Sequence, residues 1–386
     1  MNNKWNLKVL ILLSLGHLVT DIYQGALPVT LPFIKEKLAL SYTMTGLILM
    51  ISNFTSSILQ PLFGFYSDRK AKAILLPIGL LCAGIGFSFI SIPNSYAVIL
   101  AMVAVSGLGI ASYHPEGYKT ANFFTGEKSV TGMAIFSVGG NLGFSLGPIL
   151  SVYIVQYLGL SSLPVIVIPS LVVTAIIIYQ RKVITIPVVE HAKRQAEAPK
   201  AVSGAYLSLF MLIVIVVMRS WTQMGLLSYI PFYYINYMKG DPLYAGKLVF
   251  VYLLCGAIGT MIGAPLADRW GHRRFLRITM FLAAATLPLM FFVKGPMLFF
   301  VLGFQGMFLV STFAVTVVMA QKLLPARLGI ASGLMVGFAI GTGGIGVTVL
   351  GIVADNFGVP VALESIMALP FIGLVLSLML RYRERV

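Results

Sequence analysis

Two short stretches place acid–base side chains in otherwise apolar surroundings. In "GHLVTDIYQGALPVTLP", His17 and Asp21 lie four residues apart and so share one face of a helix. In "ASYHPEGYKTANFF", His114, Pro115 and Glu116 are adjacent, and Lys119 follows Glu116 at ion-pair spacing. A third stretch, "MRSWTQMGLLSYIPFYYINY", carries Arg219. A carboxyl desolvated in such a place is pushed toward its neutral form, which suits a group that binds and releases a proton. A guanidinium in a cavity is a fork for carboxylate or phosphate. The chemistry on offer is therefore proton binding with anion attraction. The sequence shows no HExxH, DxD, nucleotide-binding loop or Ser/His/Asp set beside these groups, so an enzyme is not expected. Neither a cofactor nor a metal is expected, and the energy source is an ion gradient, most simply one of protons, or the substrate gradient itself.

The roles divide by position. His114 and Glu116 stand roughly 200° apart around an ideal helix, so they face one cavity only if Pro115 distorts the turn. Asp21 or Glu116 is expected to carry the proton, with His114 part of the same coupling set. The other acid would be neutralised by Lys119, Arg219 or His114. The alternative for Asp21 is a purely structural pairing. Gln24 continues the polar stripe of His17 and Asp21. Arg219, His17, Gln24, Gln223, Tyr229 and Tyr233 are the substrate-binding candidates. Tyr233, Tyr234 and Tyr237 equally suit an interfacial aromatic belt, and Arg219 a snorkelling side chain.

These groups need a scaffold that shelters charge. The 386 residues are 58% hydrophobic and 10% charged, whereas soluble domains carry about a quarter charged residues. Apolar runs long enough to cross about 30 Å of hydrocarbon occupy approximately 7–34, 43–66, 73–92, 96–123, 130–157, 163–181, 205–237, 243–267, 274–293, 296–321, 328–354 and 359–381. The fold class is an all-α membrane protein of twelve transmembrane helices in two six-helix bundles. The expected division is 1–181, a polar linker at 182–204, and 205–386. The net charge of +15 reads as topology signal rather than nucleic-acid affinity. Arg69, Lys70, Lys72, Arg269, Arg273, Arg274 and Arg277 fall on the same side as the linker and tail. The positive-inside rule then puts both termini in the cytoplasm, with the chain expected in the inner or plasma membrane and, separately, as a monomer.

The halves echo one another. "GFYSDRKAKAILL" and "GAPLADRWGHRRFL" place Asp68-Arg69 and Asp268-Arg269 in matching loops, and "TGMAIFSVGGNLG" matches "SGLMVGFAIGTGG". Parallel six-helix repeats, with a substrate site between them, mark major-facilitator architecture. Gly64, Asp68 and Arg69 resemble the loop 2–3 signature of that superfamily. The second copy has Ala264 where the glycine would stand. An aspartate there suits a conformational clamp that caps a neighbouring helix start and pairs with arginines. Gly143, Gly147 and Pro148 look like the antiporter signature of drug-exporting facilitators, with Ser151 in place of its last glycine. Pro148 and Pro115 are expected to bend their helices. These residues, with Asp268 and Arg269, form the gating set.

"GHLVTDIYQGALPVTLP", "SYHPEG" and "RSWTQMGLLSYIPFYY", in that order, resemble the fosmidomycin-resistance group of facilitators over essentially the whole chain. The resemblance implies efflux of a small drug or an anionic or amphiphilic compound in exchange for protons. The alternative is a proton symporter importing a sugar or organic acid.

Overall fold

The computed structural model describes residues 5–40, 42–69, 73–185, 205–234, 238 and 242–382. No strand occurs among them. Apolar surroundings leave each backbone amide only an intrahelical partner, and the apolar runs fold accordingly. The helices are α1 (Leu7–Leu38), α2 (Tyr42–Asn53, Phe54–Ile58 and Gln60–Arg69), α3 (Leu75–Ser88), α4 (Tyr96–Asn122), α5 (Ser129–Leu158) and α6 (Leu160–Tyr179). They continue as α7 (Ala205–Phe232), α8 (Pro242–Trp270), α9 (His272–Phe291), α10 (Pro296–Leu323), α11 (Leu328–Phe357) and α12 (Val359–Met379). Eleven of the twelve have span length, and α3 is a shorter apolar helix. Of the expected linker only 182–185 is described, as helix. The rest of it and Tyr237 lie outside the described residues.

The chain forms two compact units. The first comprises 1–199 with 325–338, so the opening of α11 belongs to it; the second comprises 200–324 with 339–386. Half or more of the central stretch of α1 and α4 in the first unit, and of α7 and α10 in the second, is buried. The other long spans reach at most 39%. The chemistry-bearing residues thus ride on the most enclosed helices.

In the first unit α1 and α5 lie backbone to backbone. Gly139, Gly143 and Gly147 present one face of α5 to the carbonyl oxygens of Ser14, Leu18 and Ile22, because residues four apart stack on a helix surface. Any Cβ at these positions would overlap the facing carbonyl. Buried Ser151 continues the series. Pro148 and Pro115 both sit inside continuous helices.

The loop 2–3 aspartate meets backbone. Asp68 Oδ1 accepts from the Gly329 amide at 2.8 Å and Oδ2 from the Ile330 amide at 2.9 Å. This is an N-terminal cap on α11, favoured by the dipole of that helix end. Gly64 allows the approach, since its Cα hydrogen faces the Gly329 carbonyl. Arg69 lays its guanidinium over the Phe65 ring, 3.9 Å from the centroid. In the second unit, Asp268 Oδ1 lies 3.9 Å from His272 Nε2 and Arg269 is exposed. Leu226, Tyr229, Leu248, Tyr252, Leu302 and Ile366 belong to that unit's core cluster.

Two outcomes follow. Gly143→Val forces α1 from α5, an overpacking cost of about 1–3 kcal/mol, and lowers the melting temperature of the purified protein in detergent. An unchanged melting temperature would show that the seam is not close. Asp68→Ala removes a cap worth about 1 kcal/mol, so hydrogen exchange at Gly329 and Ile330 accelerates roughly fivefold. Unaltered exchange there would mean that the carboxylate does not hold α11.

Candidate functional site

The first unit gathers three of the residues singled out above. His114 Nε2 lies 2.9 Å from Asp21 Oδ1, and His17 Nε2 lies 3.3 Å from Asp21 Oδ2. The helix periodicity of α1 brings His17 and Asp21 onto one face, and α4 delivers His114 to the other carboxylate oxygen. His17 Nδ1 donates to the Phe136 carbonyl of α5 at 2.9 Å. Its ring stacks on Phe136 with centroids 4.4 Å apart and meets His114 edge-on at 4.9 Å. From α2, Gln60 Nε2 donates to the Ser56 carbonyl at 2.8 Å and to His114 Nδ1 at 3.0 Å. The imidazole side chains are 5% exposed and that of Asp21 13%, so Asp21 is the least enclosed of the three.

Ligand atoms of His17, Asp21 and His114 all fall within 4.8 Å of one another, a spacing that a small cation can use. The hydrogen bonds describe another state. The Gln60 amide facing His114 Nδ1 makes that nitrogen an acceptor, so the ring proton sits on Nε2, aimed at Asp21. As arranged, the cluster shares protons.

Glu116 points elsewhere. Its Oε1 pairs with Lys119 Nζ at 3.0 Å and accepts from the Thr120 hydroxyl at 3.4 Å. Lys119 Nζ also donates to the Ser67 carbonyl at 2.8 Å. Glu116 and Lys119 are 0% and 3% exposed, and removing one partner of such a pair costs about 3–5 kcal/mol. His114 and Glu116 therefore face different neighbours, as their spacing on an unbroken helix requires.

In the second unit, Arg219 is buried. Its Nη1 donates to Thr312 of α10 at 3.2 Å, and its guanidinium lies 5.4 Å from the Phe313 ring centroid. Trp221 Nε1 donates to Thr342 at 3.4 Å, and the Tyr229 hydroxyl to the Val347 carbonyl at 3.3 Å. Tyr233 meets Phe291 edge-on at 6.3 Å. Gln24 in the first unit and Gln223 in the second are half-buried.

Sequence reading had not flagged Gln60, Ser67, Thr312 or the Phe136 carbonyl. A glutamine inside an apolar span was a legible signal for the first. Nothing local marks a backbone carbonyl.

The comparisons agree with this architecture. The family model described as Major Facilitator Superfamily matches residues 13–246 and 235–386. The chain is 32% identical to an uncharacterized MFS-type transporter, YfnC, of Bacillus subtilis (strain 168), covering 96% of this chain and 92% of that protein. It is 28% identical to the fosmidomycin resistance protein of Escherichia coli (strain K12), covering 94% of this chain and 90% of that protein. Among solved structures, the E. coli fucose:proton symporter FucP matches with a TM-score of 0.73 at 15% identity, covering 97% and 98% of the two chains. With the twelve helices and these matches in hand, the chain belongs to the Major Facilitator Superfamily: a multi-pass membrane transporter of small molecules, not an enzyme.

Proposed function

We propose that this protein is a proton-coupled antiporter that exports a small drug or an anionic or amphiphilic compound by alternating access. The observation that carries this reading is the buried His17–Asp21–His114 cluster, whose carboxylate is its most exposed member. A charge in such a place is costly unless compensated, so it marks a functional group rather than a packing choice. Asp21 is the proton-carrying acid of this reading, His114 belongs to its coupling set as a hydrogen-bond partner, and Glu116 is held by Lys119 as the neutralised acid. Arg219, a buried cation on α7, attracts the anionic part of the substrate. Gln24, Gln223, Tyr229 and Tyr233 complete the substrate contacts, while His17, expected among them from the sequence, is engaged with Asp21 and the Phe136 carbonyl.

Gating falls to the close-packed backbone. Gly143, Gly147 and Pro148 set the α1–α5 seam, and Gly64 and Asp68 the cap on α11. Arg69, Pro115, Asp268 and Arg269 belong to the same proposed set. The relative named for fosmidomycin resistance supports export. The protein would act as a monomer in the inner or plasma membrane, with both termini cytoplasmic.

Acidified everted vesicles test this reading. Fosmidomycin added outside should alkalinise the lumen as protons leave, and Asp21→Asn should reduce that flux at least tenfold. Acidification would indicate symport, and a wild-type flux in Asp21→Asn would remove Asp21 from the mechanism. Arg219→Ala should weaken the half-saturating concentration of an anionic probe more than that of a neutral one. Equal weakening would take substrate charge recognition away from Arg219.

A further inference from the structure

We propose that the exchangeable proton is held jointly by His17 Nε2 and Asp21 Oδ2, with His114 a fixed hydrogen-bond donor and Gly140 the residue that makes room for the pair. The proposal deepens the proton-coupled reading above and rests on it for its role in transport.

The hydrogen-bond partners fix where each hydrogen sits. The Ser56 carbonyl accepts from Gln60 at 2.8 Å, so the atom there must be the amide nitrogen, since two oxygens would repel. The same NH2 group lies 3.0 Å from His114 Nδ1 and can only donate. His114 is therefore neutral, with its proton on Nε2, and donates to Asp21 Oδ1 at 2.9 Å. On His17, Nδ1 faces the Phe136 carbonyl at 2.9 Å. A carbonyl only accepts, so Nδ1 carries a proton. What remains is His17 Nε2 at 3.3 Å from Asp21 Oδ2. Were His17 neutral and Asp21 ionised, two lone pairs would face each other there. A proton in that gap turns the contact from repulsive to attractive, written either as imidazolium with carboxylate or as imidazole with carboxylic acid.

Both forms leave the cluster neutral, as a buried site requires. Losing the proton leaves one negative charge and two opposed lone pairs, which drives His17 and Asp21 apart. The ionisable neighbours facing the pair come from α4: His114, Tyr113, whose hydroxyl donates to the Leu13 carbonyl, and Tyr118, whose ring lies 5.8 Å from His17. From α2 comes the neutral Gln60, and from α5 come Phe136 and Gly140.

Gly140 ties this chemistry to the helix seam. A Cβ there would stand 2.7 Å from Asp21 Oδ2 and nearer still to His17 Nε2. It neighbours Gly139 and lies one turn from Gly143, where α5 touches α1. The gap that holds the proton is thus part of the α1–α5 contact, and separating the pair loads that contact directly.

The test uses the full chain in lipid nanodiscs, labelled with 15N-histidine and 13C-aspartate; only four histidines are present. Peaks are assigned with His17→Gln and His114→Gln. The His17 Nε2 and Asp21 carboxyl signals should titrate together in one step, while His114 keeps its Nε2–H tautomer throughout. A plain Nδ1–H imidazole at His17 beside an ionised Asp21, or titration at His114 instead, would overturn the proposal. Gly140→Ala should split the joint step in two; an unchanged step would remove Gly140 from it. In vesicles, His17→Gln supplies an amide donor to Asp21 without a titratable proton, and fosmidomycin-driven proton flux should fall at least tenfold. Joint titration with no drug-driven flux in the wild type would sink the antiport reading and leave the proton's location standing. Wild-type flux and pH profile in His17→Gln would sink the location and leave antiport standing.

Discussion

A carboxylate sunk among apolar helices must be neutralised where it stands, and the first unit is organised around doing that for Asp21. On idealised terms the uncompensated group costs several kcal/mol. Both carboxylate oxygens face imidazoles, and both imidazoles are fixed from behind, one by Gln60 and the other by the Phe136 carbonyl. Four helices are thereby committed: α1 carries the acid, α4 and α2 hold His114, and α5 holds His17. The tight α1–α5 seam then has a reason beyond packing. It brings the Phe136 carbonyl within reach of His17 and leaves only a hydrogen atom at Gly140 opposite the pair.

The repeat in the sequence is architectural and not chemical. Matching loops carry Asp68-Arg69 and Asp268-Arg269, yet Asp68 caps a helix while Asp268 faces His272 at 3.9 Å. On α4 the buried stretch holds His114, Glu116 and Lys119; the corresponding stretch of α10, "FLVSTFAVTVVMAQK", is uncharged until its final lysine and contributes Thr312 to Arg219. An acid–base group costs free energy only where it is buried, so duplicating the helices does not require duplicating the charges. The first unit pairs its buried charges internally, and in the second the Thr312 hydroxyl and the Phe313 ring are among the neighbours of the buried arginine.

Span number, helical class and the placement of chemistry on α1, α4 and α7 were legible because each rests on local composition and period. His17 and Asp21 at helical spacing were visible as one face, and Glu116 with Lys119 as a pair. Boundaries drifted where helices deviate from regularity: α3 ends at Ser88, short of the run predicted to 92, and α11 is interrupted near Thr342. What could not be read was convergence across distant segments. His114 reaching Asp21, Gln60 reaching His114, and Lys119 reaching Ser67 join different helices, and no periodicity encodes such pairs. Asp68 takes the capping role expected of it, through the Gly329 and Ile330 amides, because the start of a helix offers aligned donors with no side-chain entropy to lose.

These contacts make α4 the common member of two arrangements. Through His114 it holds the Asp21 cluster, and about a turn and a half later Lys119 holds the Ser67 carbonyl. Ser67 precedes Asp68, the residue that caps α11 at Gly329 and Ile330. Every link in that series is a direct hydrogen bond or the rigid backbone between neighbours, which is the kind of contiguous contact through which a local rearrangement has consequences elsewhere. If α4 moves when His17 and Asp21 separate, the carbonyl that anchors Lys119 moves with it, or the Lys119 bond breaks. Glu116 bears on which occurs: paired to Lys119 at 3.0 Å and fully buried, it opposes release of that ammonium group. In the proposed cycle the buried ion pair would add stiffness to the helix that carries the displacement, which would give a membrane-embedded pair a use even where its net contribution to stability is small.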